Sequence, residues 1–143
     1  MIIPDANLLL YAYNSDSPFQ KKAASWWAKC LSGDEAVGLC AVVLYSFIRV
    51  GTNSKAFEQP FSIDEAADHV VSWMGVPVTE FISGEVDDFE KSLDLLRQAG
   101  AGGNLTTDAQ IASLSLKYNA VVHTADTDFA RFPKVEWVNP VLY

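Results

Sequence analysis

The sequence predicts an α/β domain of three layers, with a mostly parallel central sheet of four to five strands covered by helices on both faces. Three observations lead there. Short apolar runs of strand length recur along the chain, segments with apolar residues at helical spacing separate them, and cap or turn residues mark the changes. Strands that alternate with helices pair in parallel, because each crossover helix returns the chain to the starting edge of the sheet.

The elements follow in order. Met1-Ile2-Ile3-Pro4 opens as a strand, and Ala6 to Tyr13 reads as a short helix. Ser17-Pro18 is expected to start the next helix, with Ser as cap and Pro at the first helical position, running to about Leu31. Gly33-Asp34 turns the chain into a short buried strand, Ala36 to Leu39. Val42 to roughly Gly51 is a helix with Val43, Leu44, Phe47 and Ile48 on its apolar side. Ser62-Ile63-Asp64-Glu65 is a capping box, in which Ser62 and Glu65 each satisfy a free backbone N–H, and it opens a helix ending near Gly75. Val76 to Thr79 is expected as a strand. Glu85 to Ala99 is an amphipathic helix whose Val86, Phe89, Leu93 and Leu96 are expected to face the core. Gly100 to Gly103 breaks the chain before a helix from about Thr107 to Tyr118. Strands Ala120 to His123 and Glu136 to Val138 complete the sheet. No repeat, linker or low-complexity tract interrupts residues 1–143, so a single domain is expected.

A chain of 143 residues can bury a core without disulfide or metal staples. Cys30 and Cys40 are too few for a disulfide framework or a zinc site, and buried free thiols are expected. The start lacks the basic segment of a signal peptide, and Leu8-Leu9-Leu10 is too short to cross a membrane, so a cytoplasmic location is expected. The net charge of −8 weighs against a broad nucleic-acid footprint and suits a basic protein partner. Acids that hold a cation are neutralised by it, however, and Lys21, Lys22 and Lys29 fall on one helix, as a local basic patch or a solvated face.

Three aspartates carry the chemistry. Asp5 follows the first strand, Asp108 opens the late helix, and Asp126 lies just past the strand ending at His123; all are read as strand–helix junctions. In a parallel sheet such junctions gather at the carboxyl edge, where ligands bind. Close carboxylates repel by a few kcal/mol per pair at an effective dielectric of about 20. A hard divalent cation with oxygen ligands, Mg²⁺ or Mn²⁺, would remove that cost. The residues thus point to a metal-dependent enzyme acting on phosphate esters. Ser46, Arg49 and Asn53 share one face of their helix by spacing, which either meets solvent or looks into the acidic site, with Arg49 contacting a phosphate or bracing a carboxylate.

Four stretches, in order, resemble the PIN-domain ribonucleases, and most of all the VapC toxins of bacterial toxin–antitoxin pairs. They are Asp5-Ala6-Asn7-Leu8-Leu9-Leu10-Tyr11-Ala12, Phe47-Ile48-Arg49-Val50-Gly51-Thr52-Asn53, Gly103-Asn104-Leu105-Thr106-Thr107-Asp108-Ala109 and Thr124-Ala125-Asp126-Thr127-Asp128-Phe129. The resemblance implies a PIN-like fold and a Mg²⁺- or Mn²⁺-dependent endoribonuclease. Such an enzyme cleaves RNA phosphodiester bonds with a metal-activated water. It is usually a homodimer and is silenced by a cognate VapB-type antitoxin, whose basic tail is expected to reach the acidic pocket. The family's metal-binding acids map onto Asp5, Asp108 and Asp126, with Asp128 as an accessory. Thr124 matches a supporting hydroxyl residue, and Asn7 a polar residue beside the first Asp. One position departs from the pattern: many PIN domains carry a Glu on the third helix where this chain has Ser46. Either the site uses fewer acids and more waters, or Asp128 supplies the charge, or activity is weak.

Other readings fit less well. A small-molecule phosphatase of the haloacid-dehalogenase type wants an Asp where Asn7 stands, and a receiver domain wants a Lys after its late strand, whereas Lys134 precedes one. A PIN-like shell that binds RNA or protein without cutting draws support from Ser46. His69 and His123 do not make a zinc site, and His123 is expected as a satisfied core residue. Trp26, Trp27, Trp73 and Trp137 are expected to pack rather than stack on bases. Gly100 to Gly103 lacks the Lys-Ser/Thr ending of a phosphate loop and reads as a turn.

Overall fold

In the computed structural model, which describes residues 1–142, five strands form one parallel sheet in the order β3-β2-β1-β4-β5. The strands are β1 (Ile2–Pro4), β2 (Val37–Cys40), β3 (Thr79–Ile82), β4 (Val121–His123) and β5 (Trp137–Val138). The helices are α1 (Ala6–Tyr13), α2 (Gln20–Ser32), α3 (Ala41–Gly51), α4 (Ile63–Met74), α5 (Val86–Ala99) and α6 (Leu105–Tyr118), and they cover both faces. β1 pairs with β2 on one side and β4 on the other, with Ile3 opposite Val122 and Pro4 opposite His123. The chain winds outward from β1 to β3 and then crosses back to β4. The gap between the ends of β1 and β4 is therefore the point where strand order reverses, the place where parallel sheets bind ligands.

The core forms around Ile3, Leu8, Leu9, Val37, Leu39, Phe47, Trp73, Ile111 and Phe129, all buried. Trp27 and Trp73 meet edge to face, and Phe47 packs on Trp73, so the tryptophans serve packing. Cys30 and Cys40 are buried free thiols, and burial pushes both up to about 11, which leaves them unreactive.

Four expectations are corrected. The second helix begins at Gln20: Ser17 holds a turn, its hydroxyl accepting from the Phe19 N–H at 3.2 Å. β3 starts at Thr79 rather than Val76, because Pro77 has no N–H for a ladder and Thr79 Oγ1 ties back to the Trp73 and Val76 carbonyls. α5 turns Ser92 and Leu95 inward against α6, leaving Val86 72% and Phe89 64% exposed as an outer ridge, while Leu93 is half-buried and Leu96 packs against the core as expected. Asn53 lies beyond the end of α3, where it accepts the Lys55 N–H, and does not share the helix face of Ser46 and Arg49. The capping box at Ser62 and Glu65 forms as expected, and Gly100 adopts the left-handed conformation that ends α5.

Candidate metal centre

Asp5 is fixed by the way β1 becomes α1. It is the N-cap of α1, its Oδ1 accepting the Ala6 N–H at 2.7 Å. Its Oδ2 accepts the Thr124 hydroxyl at 2.8 Å and the Asn7 amide at 3.2 Å. Asn7 also donates to Thr124 Oγ1 and accepts the Ala125 N–H through its Oδ1. Thr124, wholly buried, in turn accepts the Asp126 N–H at 2.9 Å. A single polar network thus ties the end of β1 to the loop after β4 and sets the backbone of Asp126 relative to Asp5.

That loop is shaped by Asp126 itself. Its Oδ1 accepts the Asp128 N–H at 2.8 Å and caps the single 3₁₀ turn Thr127–Arg131, whose Phe129 is buried in the core. The turn brings Asp128 back beside Asp126. Asp108 arrives from a different direction. It sits in the first turn of α6, which follows α5 through the glycine-rich turn and not a strand, so its reading as a strand–helix junction is corrected.

Asp108, Asp126 and Asp128 each present a ligand atom, and these atoms lie within 4.8 Å of one another. Asp108 is buried, Asp126 half-buried and Asp128 exposed, so the cluster opens to solvent on one side. Asp5 stands outside this closest trio but inside its field. Burial raises the Asp5 carboxyl, and the Asp126 charge raises it further against its hydrogen bonds. Asp108 is pushed up to about 7, first by burial and then by the charges of Asp126, Asp5 and Asp128. These four acids therefore share one electrostatic problem. The donor set fits a hard divalent ion: oxygen ligands only, mutually repelling and largely free of protein hydrogen bonds on Asp108 and Asp128.

Beside the cluster, Ser46 and Arg49 of α3 and Thr107 and Gln110 of α6 line an open groove of about 540 Å³. None of the four acids lines this groove, so Ser46 and Arg49 are placed on a surface next to α6 and not in the acidic cluster itself. His123 is half-buried, with Nδ1 accepting from Trp26 Nε1 at 2.9 Å, and serves packing. The proximity of Asp128 to Asp108 had no signal in sequence spacing, since it depends on the 3₁₀ turn.

Carboxylates gathered at the switch point of a parallel sheet are the setting of a metal-dependent α/β enzyme. The PIN-domain family model matches residues 2–135, and the chain belongs to that family. Within it the similarity is to VapC proteins. Ribonuclease VapC33 of Mycobacterium tuberculosis is 35% identical over 141 residues, covering 99% of both chains. Among solved structures, M. tuberculosis VapC20, described as a Sarcin-Ricin loop cleaving toxin, superposes with TM-score 0.69 at 18% identity, over 91% of this chain and 93% of that one. The VapBC2 complex of Rickettsia felis, bound to a DNA fragment from its promoter, gives TM-score 0.67 at 22% identity over 97% and 98%.

Proposed function

We propose that this VapC-type PIN domain is a Mg²⁺- or Mn²⁺-dependent endoribonuclease toxin. The observation that carries the reading is the convergence of Asp108, Asp126 and Asp128 at ligand distance of one another, with Asp5 locked beside them. Asp108, Asp126 and Asp128 would hold the cation directly, and Asp5 would complete the site from β1. When bound, such an ion supplies Lewis-acid polarisation of a phosphate oxygen and a coordinated water of lowered pKa. The chain's own part is then to orient and to move a proton. A carboxylate of the cluster would accept the proton of the attacking water, and the raised value of Asp108 marks the charge repulsion that a bound cation would relieve. Asn7 and Thr124 act as positioning residues that hold Asp5 and the Asp126 loop in register. Arg49 and Ser46 line the groove next to α6, and the exposed Arg49 guanidinium can pair with a phosphate there.

Two partners are part of this reading. The acidic cluster suits an Arg or Lys from the basic tail of a VapB-type antitoxin, which would compete with the cation and silence the enzyme. A second copy of the chain would cover apolar surface now open to water: the α5 ridge and the groove around Tyr45, Met74 and Phe81. A cytoplasmic site of action is part of the same proposal, and among the described residues no helix is long and apolar enough to cross a membrane.

The test is incubation of purified protein with total RNA, with and without Mn²⁺, followed by end-mapping of fragments. Discrete, Mn²⁺-dependent cuts are expected. Intact RNA under both conditions, with binding retained, would instead favour a non-cutting PIN-like module, the reading to which Ser46 in place of a Glu lends support.

A further inference from the structure

α2 carries Lys21, Lys22 and Lys29 and no acidic residue, whereas α5 mixes Asp87, Asp88, Glu90 and Asp94 with Lys91 and Arg97. The three lysines, with Ser25, Trp26 and Pro140, line one open groove of about 460 Å³. Among the described residues the ion pairs are Arg97–Asp94 and Lys117–Asp88, so none of the three ammonium groups is neutralised by a carboxylate. Three of ten basic residues left unpaired in one concavity focus positive potential there, although the chain as a whole carries −8.

The floor of this groove is wired to the carboxylate centre. Trp26 donates its indole N–H to His123, the rings stacking at 5.9 Å between centroids. His123 is the last residue of β4, and its carbonyl accepts the Asp5 N–H at 2.9 Å. Pro140, which follows β5, lies at the same edge of a fully parallel sheet. The groove runs along α2 and is linked to Asp5 through Trp26 and His123. Its charged groups are the three ammonium groups, joined by the Ser25 hydroxyl. Trp26 is buried and committed to His123, so it offers little ring surface for a base to stack on. A surface of this kind holds phosphates and ignores base identity.

We infer that the α2 groove is a phosphate-tracking site, in which Lys21, Lys22 and Lys29 hold the backbone of an RNA strand outside the cleavage centre. The inference rests on the ribonuclease reading and adds where the substrate runs. Its test is the binding of a labelled single-stranded oligouridylate, followed by fluorescence anisotropy in EDTA over a range of salt. Each phosphate contact to a single strand contributes about 0.7 to the slope of log K against log salt. The combined Lys21→Ala, Lys22→Ala, Lys29→Ala variant is thus expected to lower the slope by about 2. These side chains are exposed and alanine favours helix, so the fold should persist, which circular dichroism checks. A variant of equal net charge, Lys55→Ala with Lys91→Ala and Lys134→Ala, should keep the wild-type slope. Equal losses in both triple variants would reduce the effect to bulk charge and overturn the assignment. So would a lysine variant that keeps RNA binding but loses poly-glutamate, which would make the groove a seat for an acidic protein segment. If the wild type cuts total RNA while the α2 variant binds with an unchanged slope, the groove assignment fails alone. If the wild type neither binds nor cuts RNA, the ribonuclease reading fails with it.

Discussion

Asp5 and the trio of Asp108, Asp126 and Asp128 carry the same functional group and are held in opposite ways. Both oxygens of Asp5 are engaged, by a helix cap, a hydroxyl and an amide. Among the described residues, the carboxylates of Asp108 and Asp128 take no protein donor, and Asp126 uses one oxygen to shape its own turn. Asp5 is thus an anchor, stabilised by hydrogen bonds that partly offset its burial. In the trio, mutual repulsion adds to burial and raises Asp108, as expected of groups that a cation would neutralise. Removing the anchor should damage the fold and the reaction together; removing an acid of the trio should spare or help the fold and abolish the reaction.

The sharpest separation is expected from alanine at Asp5 and asparagine at Asp108. Asp5→Ala leaves the Ala6 N–H, the Thr124 hydroxyl and the Asn7 amide without their acceptor, a destabilisation of about 2–4 kcal/mol, with cleavage lost as well. Asp108→Asn should lower cleavage by about 10²–10³-fold or more while the metal-free protein stays as stable as wild type or gains. Urea unfolding alongside an RNA cleavage assay reads both. Loss of stability on Asp108→Asn would erase the distinction.

The pH dependence of stability is the next test. Asp108 has its folded value raised to about 7, above an unfolded value of about 3.9. Between these the folded state binds the extra proton. The group's contribution is therefore full at low pH, falls as pH rises through this window and is flat above it. In EDTA, wild-type stability should drop relative to Asp108→Asn between about pH 4 and 7, by about 1–3 kcal/mol. A constant gap across that range would contradict the burial and charge assigned to Asp108.

Smaller effects should come from the positioning groups. Thr124→Val removes the donor to Asp5 and the acceptor of the Asp126 N–H, costing about 1–2 kcal/mol and on the order of tenfold in cleavage. Arg49→Ala, at an exposed position, should change stability by less than about 0.5 kcal/mol. Cleavage at wild-type rates by this variant would remove Arg49 from the groove's function.

Much of this arrangement was legible in the sequence. Asp5 before an apolar helix and the Ser62–Glu65 box are local signals whose physics needs no tertiary context, and both form as read. What stayed hidden depends on packing. The Val86 and Phe89 spacing is the same whether a helix ridge meets the core or open surface, and only the docking of α5 on α6 through Ser92 and Leu95 decides it. Pro77 displaced β3 by removing a ladder donor. At the site, Asp5, Asp108 and Asp126 were singled out as junction aspartates, although Asp108 follows a turn and not a strand. The nearness of Asp128 depends on a turn closed by the Asp126 carboxylate, and the withdrawal of Asp5 on a hydrogen bond between residues 119 positions apart.

The central claim is that Asp108, Asp126 and Asp128 form one cation receptor. Thermal unfolding of wild type, Asp108→Asn and Asp126→Asn in a Mn²⁺ titration tests it directly. A ligand at a hundred times its dissociation constant stabilises by about 2.7 kcal/mol, so the wild-type Tm should climb by several degrees while both variants stay flat. A wild type indifferent to Mn²⁺, or variants that climb with it equally, would contradict the account.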